Sequence, residues 1–274
     1  MKNLKINKLL YINPFLKYNI YSLDNYLGVN KVKREIELVV SISSNIKNFD
    51  KLPATIYSIL NQNIKPDRFI LWLDENECDL LNLPYEITRF VKNGLEIKFV
   101  KDLNSYTKTV NAFKEFYESI IVTAEDYVYY QKDWLSKLYI SYITCPNNIH
   151  VHKAKNINKT CKQITNLSNC LFAREEKARY NYMVINQGGI LYPPKCFSKE
   201  AMREPIFLKY APNSPDIWFW VMALAQNRKI RLVKNHNHIN YIADFQKLFH
   251  STICTNEFNS LLKFYERNVC SKLK

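Results

Sequence analysis

Through its first 145 residues the chain alternates short β-branched apolar runs with stretches of helical periodicity, and that alternation restricts the fold more than any other feature. IELVVSIS at 36–43 has the make-up of a buried strand. DKLPATIYSILNQ at 50–62 reads as the helix that follows: Asp50 is placed to cap it, Pro53 suits its first turn, and Leu52, Ile56, Ile59 and Leu60 share one face. RFILWL at 68–73, introduced by the turn-like KPD, ends at Asp74; LEIKFV at 95–100 alternates after Asn93-Gly94; SIIVTA at 119–124 is the fourth strand. In KDWLSKLYISYI at 132–143, Trp134, Leu138 and Tyr142, with Leu135, Tyr139 and Ile143, recur at the interval of a buried helical face. Further strands are expected at 149–154 (IHVHKA) and 229–233 (KIRLV), with a helix between them at 215–227 that Pro215 opens.

This order predicts an α/β fold with a mostly parallel central sheet and helices on both faces. Such sheets bind ligands at the carboxyl ends of their strands, which is where Asp74 and the Glu125-Asp126 pair lie. A length of 274 residues with 47% hydrophobic content suits one compact domain over 35–235, between a basic N-terminal extension (1–34) and a C-terminal extension (236–274) that packs on or flanks it.

The charge is lopsided: 39 Lys and Arg against 25 Asp and Glu give a formal net charge of +14. An acidic partner is implied, whether nucleic acid, an anionic membrane surface or a small phosphorylated substrate steered into a basic cleft. Scattered cations, with no zinc-finger spacing, RNP motif or basic zipper, weigh against specific nucleic-acid binding. Seven cysteines without a CxxC suit a reduced, cytoplasmic compartment. Asn and Lys interrupt every apolar run of MKNLKINKLLYINPFLKYNIYSL, so it does not read as a signal peptide. No run reaches the roughly 18 apolar residues a membrane-spanning helix needs. The first 34 residues suit either peripheral contact with an anionic inner-membrane surface or a solvated or packed extension.

Only four glycines are present, which excludes the GxGxxG and GxxxxGK phosphate loops and disfavours nicotinamide dehydrogenases and P-loop NTPases. Six landmarks remain in order: VVSISS (39–44), SILNQNIKPDRFILWL (58–73), DLNSYTK (102–108), IVTAEDYVYYQKDWL (121–135), GGILYPP (188–194) and PDIWFW (215–220). Over about Glu35 to Val233 they resemble the bacterial GT-A-fold, family 2-like glycosyltransferases that build surface polysaccharides such as lipopolysaccharide or capsule.

The resemblance implies a GT-A, Rossmann-like sheet and transfer of a hexose or related sugar from a nucleotide-sugar donor to a glycan or lipid-linked acceptor, with inversion. It implies that the acidic motif reaches the ribose and a divalent metal, Mn or Mg, on the diphosphate. Asp126 is then a metal ligand, and Glu125 serves the metal or the ribose. Relatives usually show three consecutive aspartates; here the third position is Tyr127, a neutral phenol and weak ligand. The chemistry needs some positive charge regardless, since a departing diphosphate gains negative charge. Lys108 sits where the family places a lysine close to the donor and can supply it.

His236 or His238 occupies the region from which several relatives recruit a third ligand; a solvated or hydrogen-bonded pair is the alternative. His150 and His152 read as packing residues. The resemblance makes Asp216 the base for the acceptor hydroxyl, Pro215 having replaced the acid usually before it, and a helix N-terminus would favour its anion and lower its basicity. Ser41, Ser43 and Asp74 match positions around nucleobase and ribose, although Asp74 can equally cap the next turn. Gly188 and Gly189 match a loop facing sugar or acceptor, or simply make a tight turn. Asn48 stands where relatives often carry arginine. Trp218, Phe219 and Trp220 are mostly core, with one indole free in principle to stack on a sugar. These departures raise a rival expectation: a GT-A-like protein that binds nucleotide sugar or glycan without efficient turnover.

Overall fold

The computed structural model describes residues 27–32, 34–157, 170–236, 240–242, 255–265 and 272. Its strands are β1 (Leu38–Ser43), β2 (Arg68–Asp74), β3 (Leu95–Val100), β4 (Ile120–Thr123), β5 (Val128–Tyr129), β6 (Ile149–Val151), β7 (Ala154–Asn156), β8 (Ala178–Arg179), β9 (Tyr182–Val184), β10 (Ile190–Tyr192), β11 (Ile230–Leu232) and β12 (Asn240–Tyr241). The helices are α1 (Leu52–Leu60), α2 (Tyr85–Thr88), α3 (Thr107–Glu115), α4 (Trp134–Thr144), α5 (Glu204–Tyr210), α6 (Pro215–Ala225) and α7 (Thr255–Phe264). Eight strands form one sheet in the order β3-β2-β1-β4-β10-β6-β11-β8. The first four are parallel; β10 runs antiparallel between β4 and β6, and β8 closes the far edge antiparallel to β11. Two small sheets, β12-β5 and β7-β9, lie outside it.

The period-two rule divides each central strand between two dry layers. Val39, Ile70, Trp72 and Ile121 face one layer; Leu38, Val40, Ile42, Phe69, Leu71, Ile120 and Val122 face the other. Val110 and Phe113 of α3 with Ile217 and Val221 of α6 cover the first layer; Ile56 and Leu60 of α1 with Leu135 and Leu138 of α4 cover the second. Both faces being buried explains why these strands read as nearly continuous apolar runs.

Three local expectations are corrected. Asp50 does not cap α1: the N-cap is Lys51, whose φ of −100° and ψ of −32° are already helical, so no extended residue precedes the helix to turn a side chain back onto its amides. IHVHKA is not one strand; the chain turns a corner at His152 and Lys153, and Ala154 enters β7 to pair with β9. No indole of α6 is available to a sugar, because Trp218 and Trp220 are fully buried and donate to the carbonyls of Ala201 (2.9 Å) and Tyr180 (3.1 Å).

Residues 1–26, most of the expected N-terminal extension, lie outside the described residues. The stretch that follows packs on the sheet: Gly28 N–H donates to Asn93 O, and Arg34 pairs with the buried carboxylate of Asp67 at 2.8 Å. At the other end α7 lies on α6, where Phe258 stacks on Trp220 with ring centroids 5.6 Å apart. Among the described residues no helix is long and apolar enough to cross a membrane.

Candidate active site

The carboxyl ends of β1, β2 and β4, the loop before β10 and the head of α6 surround one cleft of about 1230 Å³. Ser43 ends β1 and Ser44 follows it, Asp74 ends β2, Glu125 to Tyr127 follow β4, and Asp216 lies in the first turn of α6; all line it, as does Lys108 from the first turn of α3.

Two carboxylates sit side by side with different partners. Lys108 Nζ donates to Glu125 Oε1 at 2.7 Å, and both side chains are nearly buried, at 6% and 13% exposure. Asp126 Oδ2 accepts from the Ser44 hydroxyl (2.6 Å) and the Asn48 amide (3.0 Å). Burial pushes the Asp126 carboxyl above its ordinary value, the Ser44 hydrogen bond opposes that, and the negative charge of Glu125 adds to it. Asn48, standing where relatives often carry arginine, thus serves Asp126 with a neutral donor.

The structure corrects the expectation for Asp216. Its place at a helix N-terminus would depress its pKa, but burial, followed by repulsion from Glu125, raises it to about 7. Oδ2 accepts from the Asn186 N–H at 3.3 Å, while Oδ1 is buried without a hydrogen-bond partner among the described residues. A carboxyl in that state is suited to accept a proton at neutral pH.

Ser41 is placed under the floor of the cleft rather than on its wall. Its hydroxyl accepts from Trp72 Nε1 (2.8 Å) and donates to the Lys108 carbonyl (2.7 Å), so it fixes the backbone that carries Lys108. Asp74 lines the cleft, yet its Oδ1 already accepts from the Asn76 backbone (3.0 Å) and side-chain amide (3.1 Å), which is the capping alternative.

Gly188 and Gly189 are not on the cleft wall; their neighbours Asn186 and Gln187 are. The pair serves packing instead. Gly188 O accepts from Trp134 Nε1 at 2.8 Å, and a Cβ on Gly189 would come 2.5 Å from the Trp134 ring, at a φ of +81°. Gly189→Ala is therefore expected to lower stability by roughly 2–5 kcal/mol in chemical denaturation, from backbone strain and overpacking together. Wild-type stability of that variant would contradict the assignment.

The histidines do not gather at the acids. His150 contacts Ser141 Oγ (2.8 Å) and the Cys145 carbonyl (3.1 Å), and His152 Nε2 contacts the Trp134 carbonyl (3.0 Å). Burial lowers both to about 4, so they are neutral core residues. His236 does not line the cleft, and His238 lies outside the described residues. Among the described residues no three His, Cys, Asp or Glu are grouped to hold a metal ion. Tyr127 is a phenol that burial keeps protonated, stacked on Tyr241 with centroids 6.4 Å apart. With Glu125 bound to Lys108 and Asp126 Oδ2 shared by two donors, these side chains supply only part of a divalent ion's shell of about six oxygens; an ion here would be held by Asp126, with Glu125, and completed by substrate phosphate and water.

Sequence reading missed Ser44 as the partner of Asp126, and Asn186, Gln187 and Tyr241 as wall residues. Ser44 closes VVSISS and was within reach; the others lie on short irregular segments with no periodicity to mark them.

No family model matches the chain, and no curated protein matches it. Solved structures do. The crystal structure of GalNAc-T7 with UDP, GalNAc and Mn2+ superposes with a TM-score of 0.50 at 9% identity, covering 92% of this chain and 57% of that one. The chain has the GT-A fold. A mannosyltransferase from Pyrobaculum calidifontis in complex with GDP-Man and Mn2+ gives 0.48 at 10% identity, over 94% of this chain and 76% of that one. The inositol-1-phosphate CTP transferase of T. maritima gives 0.46 at 9% identity, over 85% and 98%. The chain thus spans just over half the length of the first GT-A structure it matches.

Proposed function

We propose that the protein is a glycosyltransferase that moves a sugar from a nucleotide-diphosphate donor to a hydroxyl of a glycan or lipid-linked acceptor, with inversion, in the synthesis of a surface polysaccharide. One observation carries this reading: a carboxyl raised to about 7, Asp216, shares a cleft with the Lys108-Glu125 pair and Asp126 at the carboxyl ends of the central strands.

Asp216 takes the proton of the acceptor hydroxyl as that oxygen forms its bond to the anomeric carbon. The bond from that carbon to the donor phosphate breaks, and its electron pair leaves with the nucleoside diphosphate. The Lys108 ammonium, held by Glu125 beside it on a backbone that Ser41 fixes, faces the charge that develops on the leaving group. Held in a nearly dry position, it needs little reorganisation during the step. Ser44 and Asn48 keep Asp126 oriented at the same point.

The test is donor hydrolysis and transfer assayed with Mn2+, with Mg2+ and with EDTA. With Lys108 as the fixed cation, turnover persists in EDTA. Turnover abolished by EDTA and restored by Mn2+ would move the compensating charge to an ion on Asp126. Nucleotide-sugar binding without turnover in all three conditions would favour the rival, a GT-A-like binding protein.

A further inference from the structure

We propose that Lys153 and Lys155 form a second anion subsite in the cleft, which holds a phosphate group on the acceptor. The inference rests on the transferase reading above and adds the class of acceptor to it.

Both lysines line the cleft from the corner where the chain leaves β6 and enters β7. Lys153 lies at the corner and Lys155 within β7, and Phe172 is the group their side chains share. An isolated antiparallel bridge joins Lys155 to Phe172, and the two ammonium groups lie over that one ring, Lys153 Nζ at 4.7 Å and Lys155 Nζ at 5.9 Å from its centroid. The ring stabilises each cation through its face. Two like charges thus share one ring in a partly desolvated place, an arrangement that an anion reaching both relieves. Burial lowers the pKa of both lysines; the charge of Lys155 lowers that of Lys153 further, while Cys170 opposes the shift of Lys155.

The position relates the pair to the acceptor. Lys108 is on α3 and the Glu125-Asp126 pair follows β4, whereas Lys153 and Lys155 leave the sheet after β6, on the other side of β10. A short chain of contacts links them to the base: Asp216 Oδ2 accepts from Asn186 N–H, and the next residue, Gln187, accepts through Oε1 from Lys153 Nζ (3.2 Å) and from the Tyr241 hydroxyl (2.6 Å). An acceptor whose hydroxyl meets Asp216 therefore extends past Gln187 toward the two lysines. Two compact ammonium groups without an arginine fork suit a tetrahedral phosphate dianion better than a planar carboxylate. A phosphorylated polyol or sugar and a prenyl phosphate present that same group.

The experiment is calorimetric titration of the full chain at low ionic strength with glycerol 3-phosphate, glycerol, farnesyl phosphate in detergent, and UDP and GDP. Glycerol 3-phosphate is expected to bind where glycerol does not, and Lys153→Met or Lys155→Met to weaken it about tenfold each, about 1.4 kcal/mol. Affinity for the nucleoside diphosphate is expected to hold in both variants. Lys153→Arg and Lys155→Arg, which keep charge and bulk, are expected to retain phosphate binding, which separates loss of the subsite from loss of fold. Tighter binding of farnesyl phosphate than glycerol 3-phosphate marks a lipid carrier as the source; the reverse marks a polyol or sugar phosphate. Absence of phosphate-monoester binding, or an equal loss of nucleotide affinity in the Met variants, overturns the proposal. Retained glycerol 3-phosphate binding with no nucleotide binding would instead sink the transferase reading and leave the subsite standing.

Discussion

Asp216→Asn is expected to lower the rate of sugar transfer by about 10²–10⁴-fold while nucleoside diphosphate affinity stays near that of the wild type. The amide has the shape of the carboxyl and can still accept from the Asn186 N–H, so the loss falls on the proton transfer. The pH profile separates this from a structural effect. A base titrating at about 7 is protonated below that value, so wild-type kcat/KM falls about tenfold per pH unit on the acid side and levels off above it. In Asp216→Asn that acid limb disappears from the residual activity.

The same residue carries an opposite expectation for stability. Its folded pKa, about 7, lies above the ordinary 3.8, so its ionisation is disfavoured by folding: its contribution is full below the unfolded value and is lost as pH rises from about 4 through about 7. The neutral amide escapes that loss. The arithmetic ceiling of such a shift is about 4 kcal/mol; with relaxation around the charge, Asp216→Asn should gain roughly 1–3 kcal/mol at pH 8 and little at pH 4. A less active, more stable variant is the expected combination for a residue held in a costly state.

Lys108→Met is expected to lower stability and to abolish transfer together. It leaves the nearly buried Glu125 carboxylate uncompensated beside Asp126 and Asp216, and removing one partner of a buried pair costs about 3–5 kcal/mol, here reduced to about 2–4 by the residual exposure of Glu125. Acidification should recover part of it, because Asp126 and Asp216, both already raised, take up protons and relieve the repulsion. Urea denaturation across pH measures this. Lys108→Met combined with Glu125→Gln should regain most of the stability and none of the transfer activity, which distinguishes the charge on the leaving group from the charge on the fold. Wild-type turnover in the double variant would remove Lys108 from the mechanism.

The long strands were legible, β1 and β2 as apolar runs buried on both faces and β3, a half-buried edge strand, by its alternation; all three fall within two residues of the segments read from sequence. The strands of two or three residues, such as β8 and β9, are held by their neighbours in the fold and leave no periodic trace. Within the cleft, residue type was more readable than depth. Ser41 and Ser43 share a face of β1, but Ser43 reaches the open end while Ser41, two residues deeper, is covered by Lys108 and Trp72. The acidic pair stood out as a local pattern at a strand end. The raised pKa of Asp216 could not, since it depends on burial and on Glu125, which only the folded sheet brings near. Gly188-Gly189 signalled a close approach, and the approaching group is the Trp134 ring rather than a ligand.

The most direct measurement is a crystal structure of the full chain soaked separately with UDP, GDP and CDP. The expected result is a nucleoside diphosphate at the carboxyl ends of β1 and β4, with a phosphate oxygen within hydrogen-bonding distance of Lys108 Nζ and Asp126 beside it. Phosphates bound away from Lys108 and Asp126, or a cleft that takes up none of the three, would contradict it.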